Sequence, residues 1–212
     1  NLGTNKDKTA ESIAALKSRS LSVAFMEKEN LKPILFPRKW SAETKKWKDQ
    51  DDVPTDWEAF EIFDKDIRLV NVDKKTGLVT LSIEWKDPVL AAKWANDLVK
   101  HVNIRLRNEA IEEAEKSVGY LEKQAAKTSA VEVQQAIYRL IEVQTKKQML
   151  ASTREEYAFA VIDPAVPPQN RIKPRRLVMM LFGFGAGLVF AVSTVVLLYG
   201  RTRRGGISRS LS

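Results

Sequence analysis

The chain has 212 residues, 44% of them hydrophobic and 29% charged, with no cysteine and one histidine. This composition leaves room for a sizeable core and excludes a disulfide framework, thiolate chemistry and a zinc-type His/Cys site. The net charge of +8 raises nucleic acid as a partner, but its distribution argues against that: residues Asn1–Asn170 carry 27 acids and 27 bases, and the excess is confined to the C-terminal stretch.

The first elements are read from periodicity. Ile13, Leu16 and Ser20, then Leu21, Phe25 and Met26, recur at three-to-four-residue spacing, predicting one or two helices, with Thr9 as a candidate cap. Pro33 and Pro37 close this region. The polar stretch KWSAETKKWKDQDDVPTDW has too few apolar residues for a core element and reads as a surface loop with a turn of helix. Asp56 is then expected to cap a short amphipathic helix carrying Trp57, Phe60, Phe63 and Ile67. The period next changes to two: Val79, Leu81, Ile83 and Trp85 alternate with polar residues, and the β-branched IRLVNVD stretch precedes them across KKTG. These predict a β-hairpin, giving residues 1–87 the character of a small α/β base.

Asp87-Pro88 signals a helix start, a capping carboxylate followed by proline at the first helical position. No further proline occurs before Lys127. Leu90, Trp94, Leu98, Val102 and Leu106 repeat every four residues, whereas Ile111, Ala114, Val118, Leu121 and Ala125 form a heptad seam. The seam predicts that the distal half packs against another helix, in the same chain or a neighbouring copy. A helix of about 40 residues would reach roughly 60 Å. Ser129 and Glu132 have the spacing of a capping box, so a second helix is expected through Val133, Ile137, Leu140 and Ile141 to about Phe159. Residues 88–160 are therefore read as a long helical hairpin, whose shorter descending arm leaves a distance to be covered by extended chain.

Residues 161–176, VIDPAVPPQNRIKPRR, supply that chain. Pro164, Pro167, Pro168 and Pro174 disfavour helix and stiffen the segment into a strut. Leu177–Tyr199 follows with no charged residue, and its 23 residues would rise about 34 Å as a helix, enough for a hydrocarbon core of about 30 Å. A transmembrane helix is predicted. Arg171, Lys173, Arg175 and Arg176 precede it and Arg201, Arg203, Arg204 and Arg209 follow it, placing basic side chains at head-group level on both sides. Membrane lipids, and not nucleic acid, are the expected partner; the balanced flanks leave the orientation open. Gly183 and Gly187, with Ala191 continuing the row, offer a small-residue face for helix association. Residues 200–212 are a short basic tail. No phosphate loop or nucleophile–base spacing is visible, so neither an enzyme nor a cofactor site is expected; His101, without a second ligand, reads as a solvated or capping residue.

The stretch SIEWKDPVLAAKWANDLVKHVN resembles the membrane-proximal domain of polysaccharide co-polymerases, the Wzz-type chain-length determinants. YAFAVIDPAVPPQNRIKPRR before a span resembles that family's proline-rich segment, and KTAESIAALKSRSL resembles its first ordered helix. The resemblance implies an α+β fold with a small membrane-proximal base, a long periplasmic helical hairpin and a C-terminal transmembrane helix. A first transmembrane helix and first strand would lie upstream. It further implies a bacterial inner-membrane protein with its main domain in the periplasm and residues 200–212 in the cytoplasm. The implied assembly is a homo-oligomeric ring that works with a polymerase on a lipid-linked polysaccharide, most often O-antigen, as a kinase-less member. Two other readings remain: an export co-polymerase with a separate tyrosine kinase, and a coiled-coil adaptor of an envelope transport machine. The latter would carry more β structure than the single hairpin expected here.

Overall fold

The computed structural model describes residues 2–169 and Met180. The chain divides into two compact units, 1–167 and 168–212. Among the described residues no helix is long and apolar enough to cross a membrane. Apart from Met180, the predicted span Leu177–Tyr199 lies outside the described residues, as do Pro174, Gly183, Gly187, Ala191 and all eight basic residues flanking the span.

The described part is mostly helical, with the long helical hairpin expected from the sequence and two small sheets. Helix α1 (Leu2–Lys17) runs through Thr9, so that residue is not a cap. Ser18 breaks the chain and caps α2 (Arg19–Lys28), its hydroxyl accepting from the Leu21 N–H at 3.2 Å. After the short α3 (Lys32–Leu35), the stretch expected to be a loop instead forms a hairpin of β1 (Trp40–Ser41) and β2 (Lys46–Trp47). The Trp40 and Trp47 rings meet edge-on at 4.9 Å across it, a cross-strand aromatic pair that two residues per strand need for support.

Helix α4 (Asp56–Ile62) is capped by Thr55, one residue earlier than expected. The Thr55 Oγ1 accepts the Glu58 N–H at 3.2 Å while Glu58 accepts the Thr55 N–H at 2.8 Å, a reciprocal capping box. A π-helical turn over Phe63–Ile67 follows and leads into β3 (Arg68–Val72), which pairs antiparallel with β4 (Val79–Ile83). Gly77 takes φ +74° in the connecting turn, a conformation in which a side chain would be strained.

Helix α5 (Pro88–Lys127) has 40 residues and starts at Asp87, whose carboxylate accepts the N–H groups of Val89 and Leu90. Its first half is a core element. Trp94, Leu98 and Val102 are buried with Leu16, Leu21, Phe25 and Met26 from α1 and α2 and with Phe63 and Ile67. The sheet packs against this cluster through Val70, Val79, Leu81 and Ile83.

Helix α6 (Val131–Thr153) has 23 residues and packs along the distal half of α5. Its N-cap is Ala130, without a side-chain bond, so the Ser129–Glu132 capping box does not form. The tip is closed instead by Gln134, whose Nε2 donates to the carbonyls of Ala125 at 3.2 Å and Thr128 at 3.0 Å. This satisfies acceptors that a helix C-terminus leaves orphaned. The helix also stops at Thr153, six residues before the expected Phe159.

Candidate functional site: the exit strap on the long helix

At about 1.5 Å per residue the two arms differ by roughly 25 Å, so α6 ends well short of the start of α5. Beyond Thr153 the chain is irregular through residue 169, and two asparagines of α5 hold it. The Asn103 Oδ1 accepts the N–H groups of Ala158 at 2.7 Å and Phe159 at 2.8 Å, while its Nδ2 donates to the Phe159 carbonyl at 2.9 Å. Two turns nearer the helix start, Asn96 makes the same pattern with one residue: its Oδ1 accepts the Ala165 N–H and its Nδ2 donates to the Ala165 carbonyl, both at 2.9 Å.

A carboxamide carries one acceptor and one donor group in the geometry of a peptide bond, so each asparagine stands in for the edge of a β-strand. Their seven-residue spacing puts both on one face of α5. The strap is thus gripped by its backbone at two points, next to Pro164, which lies between the clamped residues. Asn103 is 4% exposed and would be an orphaned buried amide without the strap. Ala158 and Phe159 also pack against the base core. Pro164, Pro167 and Pro168 are exposed along the strap, where their restricted φ limits how far the free chain can collapse.

A second anchoring group lies in the base. Arg68 is 5% exposed, and its guanidinium donates to the carbonyls of Leu16 (2.6 Å) and Lys17 (3.1 Å), to the Ser22 hydroxyl (2.6 Å) and to the Asp64 carboxylate. The carbonyls belong to the C-terminal end of α1, where a cation is favourable. One side chain therefore fixes α1, α2, the π-helical turn and the sheet to each other.

His101, on the α5 face toward α2, lies 6.0 Å from the Phe25 ring, and its Nε2 is buried without a hydrogen-bond partner among the described residues. It lies mid-helix and so is not a cap, and the residue is half-buried with only its Nε2 fully out of solvent, which narrows the expectation. Burial pushes its imidazole below the ordinary value, and Lys28 and Arg105 add to that by repelling the charged form.

The predicted seam is occupied within the chain. Ala114 and Ala125 are buried, and Ile111, Val118 and Leu121 are half-buried, with α6 covering them. Exposed apolar side chains of the hairpin include Tyr120 on α5 and, on α6, Val133, Leu140, Val143 and Leu150, which follow heptad spacing with Ala136 and Lys147. Sequence reasoning missed Asn96, Asn103 and Arg68. The asparagines had a signal, two carboxamides seven apart within an otherwise apolar-faced helix; Arg68, in a strand, had none. Among the described residues no cluster of His, Cys, Asp or Glu could hold a metal ion.

Comparison with known families gives one match. Residues 126–199 match GNVR, described as "G-rich domain on putative tyrosine kinase". The stretch takes in the hairpin tip, α6, the strap and the predicted span, and its only glycines are Gly183, Gly185 and Gly187. The match supports a relation to the polysaccharide co-polymerase and export family, at a level that does not single out the Wzz type. The chain matches no curated protein.

Proposed function

We propose that this chain is an inner-membrane polysaccharide co-polymerase that regulates the chain length of a surface polysaccharide, O-antigen in the first instance, and performs no catalysis itself. The observation that carries the reading is the two-point clamp on the segment leading to the predicted span, within the stretch that matches the GNVR family. A strap held by its backbone at Asn96 and Asn103 ties the predicted anchor to the base and the long helix, so a change in one is felt by the other. Its partners in this reading are membrane lipids, further copies of itself in a ring, the polymerase and the lipid-linked polysaccharide. The domain proper lies in the periplasm.

Self-association would use the exposed stripe of α6, since the α5 seam is already covered. The predicted membrane helix adds the Gly183, Gly187 and Ala191 face. A second reading, an export co-polymerase acting with a separate tyrosine kinase, is favoured by the kinase named in the family description.

The test is polysaccharide length in a strain lacking the gene, complemented with wild type or with N96A/N103A. Loss of the modal length without the gene, and a shifted mode with the clamp variant at matched protein level, is the expected outcome. An unchanged mode in the deletion strain rejects the co-polymerase reading. Loss of polymer altogether, with tyrosine phosphorylation of a partner chain also lost, favours the export reading.

A further inference from the structure

We propose that the cleft between α1, the middle of α5 and the end of α6 binds a short stretch of saccharide chain through its hydroxyls; this deepens the polysaccharide reading and rests on it. The cavity has a volume of about 430 Å³, within the usual range for ligand sites. Its lining excludes the simpler occupants. Three carboxylates, Glu11, Glu109 and Glu113, outnumber the cations Lys147 and Arg154, which disfavours an anion, and no metal-holding cluster exists among the described residues.

The charges are also largely spent. Glu109 is paired with Arg105 at 2.7 Å and Glu113 with Lys147 at 2.8 Å. What remains is one carboxylate acceptor, Glu11, and one guanidinium donor, Arg154, whose side chains make no ion pair among the described residues. Between them Ser12, 8% exposed, lines the cleft and adds a hydroxyl to its wall. A hydroxyl can both donate and accept, so it suits a neutral polyhydroxylated occupant better than an ion. The half-buried Tyr157 ring, with Leu106 and Ala158 on the walls, gives an apolar face beside these polar groups. Interleaved donors and acceptors against an aromatic face suit a sugar, whose rim is hydroxyl and whose faces are C–H.

One wall is the strap itself. Ala158 is held by Asn103, and Tyr157 precedes it, so an occupant of the cleft would contact the strap where the long helix grips it. Saccharide binding and strap position are therefore linked, and occupancy should protect the strap backbone.

The test uses the full chain in detergent, titrated calorimetrically with size-fractionated oligosaccharides cut from the surface polysaccharide of the cells that express it. Wild type should bind, with little dependence on salt, and R154A/Y157A should bind at least about tenfold more weakly, a loss of roughly 1.4 kcal/mol. A K46A control, on the distant β2 strand, should bind like wild type. Hydrogen exchange at Ala158 and Phe159 should slow on binding. No heat with any fraction, equal binding by the double variant, or binding abolished by moderate salt would overturn the proposal. The length assay in the deletion strain separates the two levels: altered length with no binding overturns the cleft alone, and unaltered length overturns the broader reading and the cleft with it.

Discussion

The two halves of α5 are built on different principles. In its first half Trp94, Leu98 and Val102 are 2%, 0% and 0% exposed, enclosed by α1, α2 and the β3–β4 sheet. Toward its distal end the described cover is mainly one helix, the residues buried there are the small Ala110, Ala114 and Ala125, and the covering helix exposes Tyr138, Leu140, Val143 and Met149. One continuous helix is therefore a core element at one end and half of a two-stranded ribbon at the other. Large side chains pack where three layers meet, and alanines serve where two helices approach closely. Among the described residues the ribbon keeps apolar surface uncovered, where a further helix could pack.

The comparison breaks most sharply on removal of a core side chain. W94A should lower stability by about 3–5 kcal/mol, because a buried ring facing Trp85 at 5.3 Å is deleted and the fixed helices cannot close the space. L140A, in the ribbon, should cost less than about 1 kcal/mol in the isolated chain, its side chain being 52% exposed. Thermal or denaturant unfolding of both variants checks the contrast. Equal losses would mean that the arm is stabilised as strongly as the base. If copies associate through α6, L140A should also weaken that association, which sedimentation in detergent would read.

The strap comes next in size. N103A removes three hydrogen bonds and strands two N–H groups and a carbonyl, an expected cost of about 1–3 kcal/mol. N103D keeps the acceptor and loses the donor, so it should fall between. Hydrogen exchange at Ala158 and Phe159 should rise in N103A with little change in β3 and β4. Unchanged exchange at those amides would show that packing of Phe159, and not the carboxamide, holds the strap.

These contrasts also mark what the sequence could reveal. The start of α5 was legible because an Asp-Pro pair carries its own local chemistry, and β3–β4 was legible because alternation and a turn glycine lie within a few residues. The errors fall where a distant partner decides. The Ser129–Glu132 spacing satisfied a local rule, yet Gln134 closes the tip by reaching across to α5. The pattern after Thr153 still looked helical, but Asn103, some fifty residues away, takes up the backbone groups of Ala158 and Phe159. Trp40 and Trp47 were hidden in a polar stretch because a hairpin of two residues per strand has no period to display. The cap at Thr55 was missed by one position, where two adjacent good capping residues compete. The seam of α5 was seen, but nothing along the chain could tell whether its partner was α6 or a second copy.

The smallest effect concerns His101, where the base meets α5. Its Nε2 is buried without a partner against Phe25, with Lys28 and Glu29 facing it from α2 and Arg105 from α5. Burial, Lys28 and Arg105 all disfavour the charged form, Glu29 opposes them weakly, and the net displacement is downward. The unfolded chain therefore takes up this proton at a higher pH than the folded one. The stability contribution is fully present above about pH 6.5, the ordinary value, and is lost progressively as pH falls through the depressed folded value. H101Q removes the titrating group at similar size and can still offer a polar atom to α2. Melting temperatures measured between neutral and mildly acidic pH should fall less steeply for H101Q than for wild type, with the two curves closest at neutral pH. Parallel curves would mean that the imidazole can turn its orphaned nitrogen to solvent on protonation, and that α2 and α5 part there at little cost.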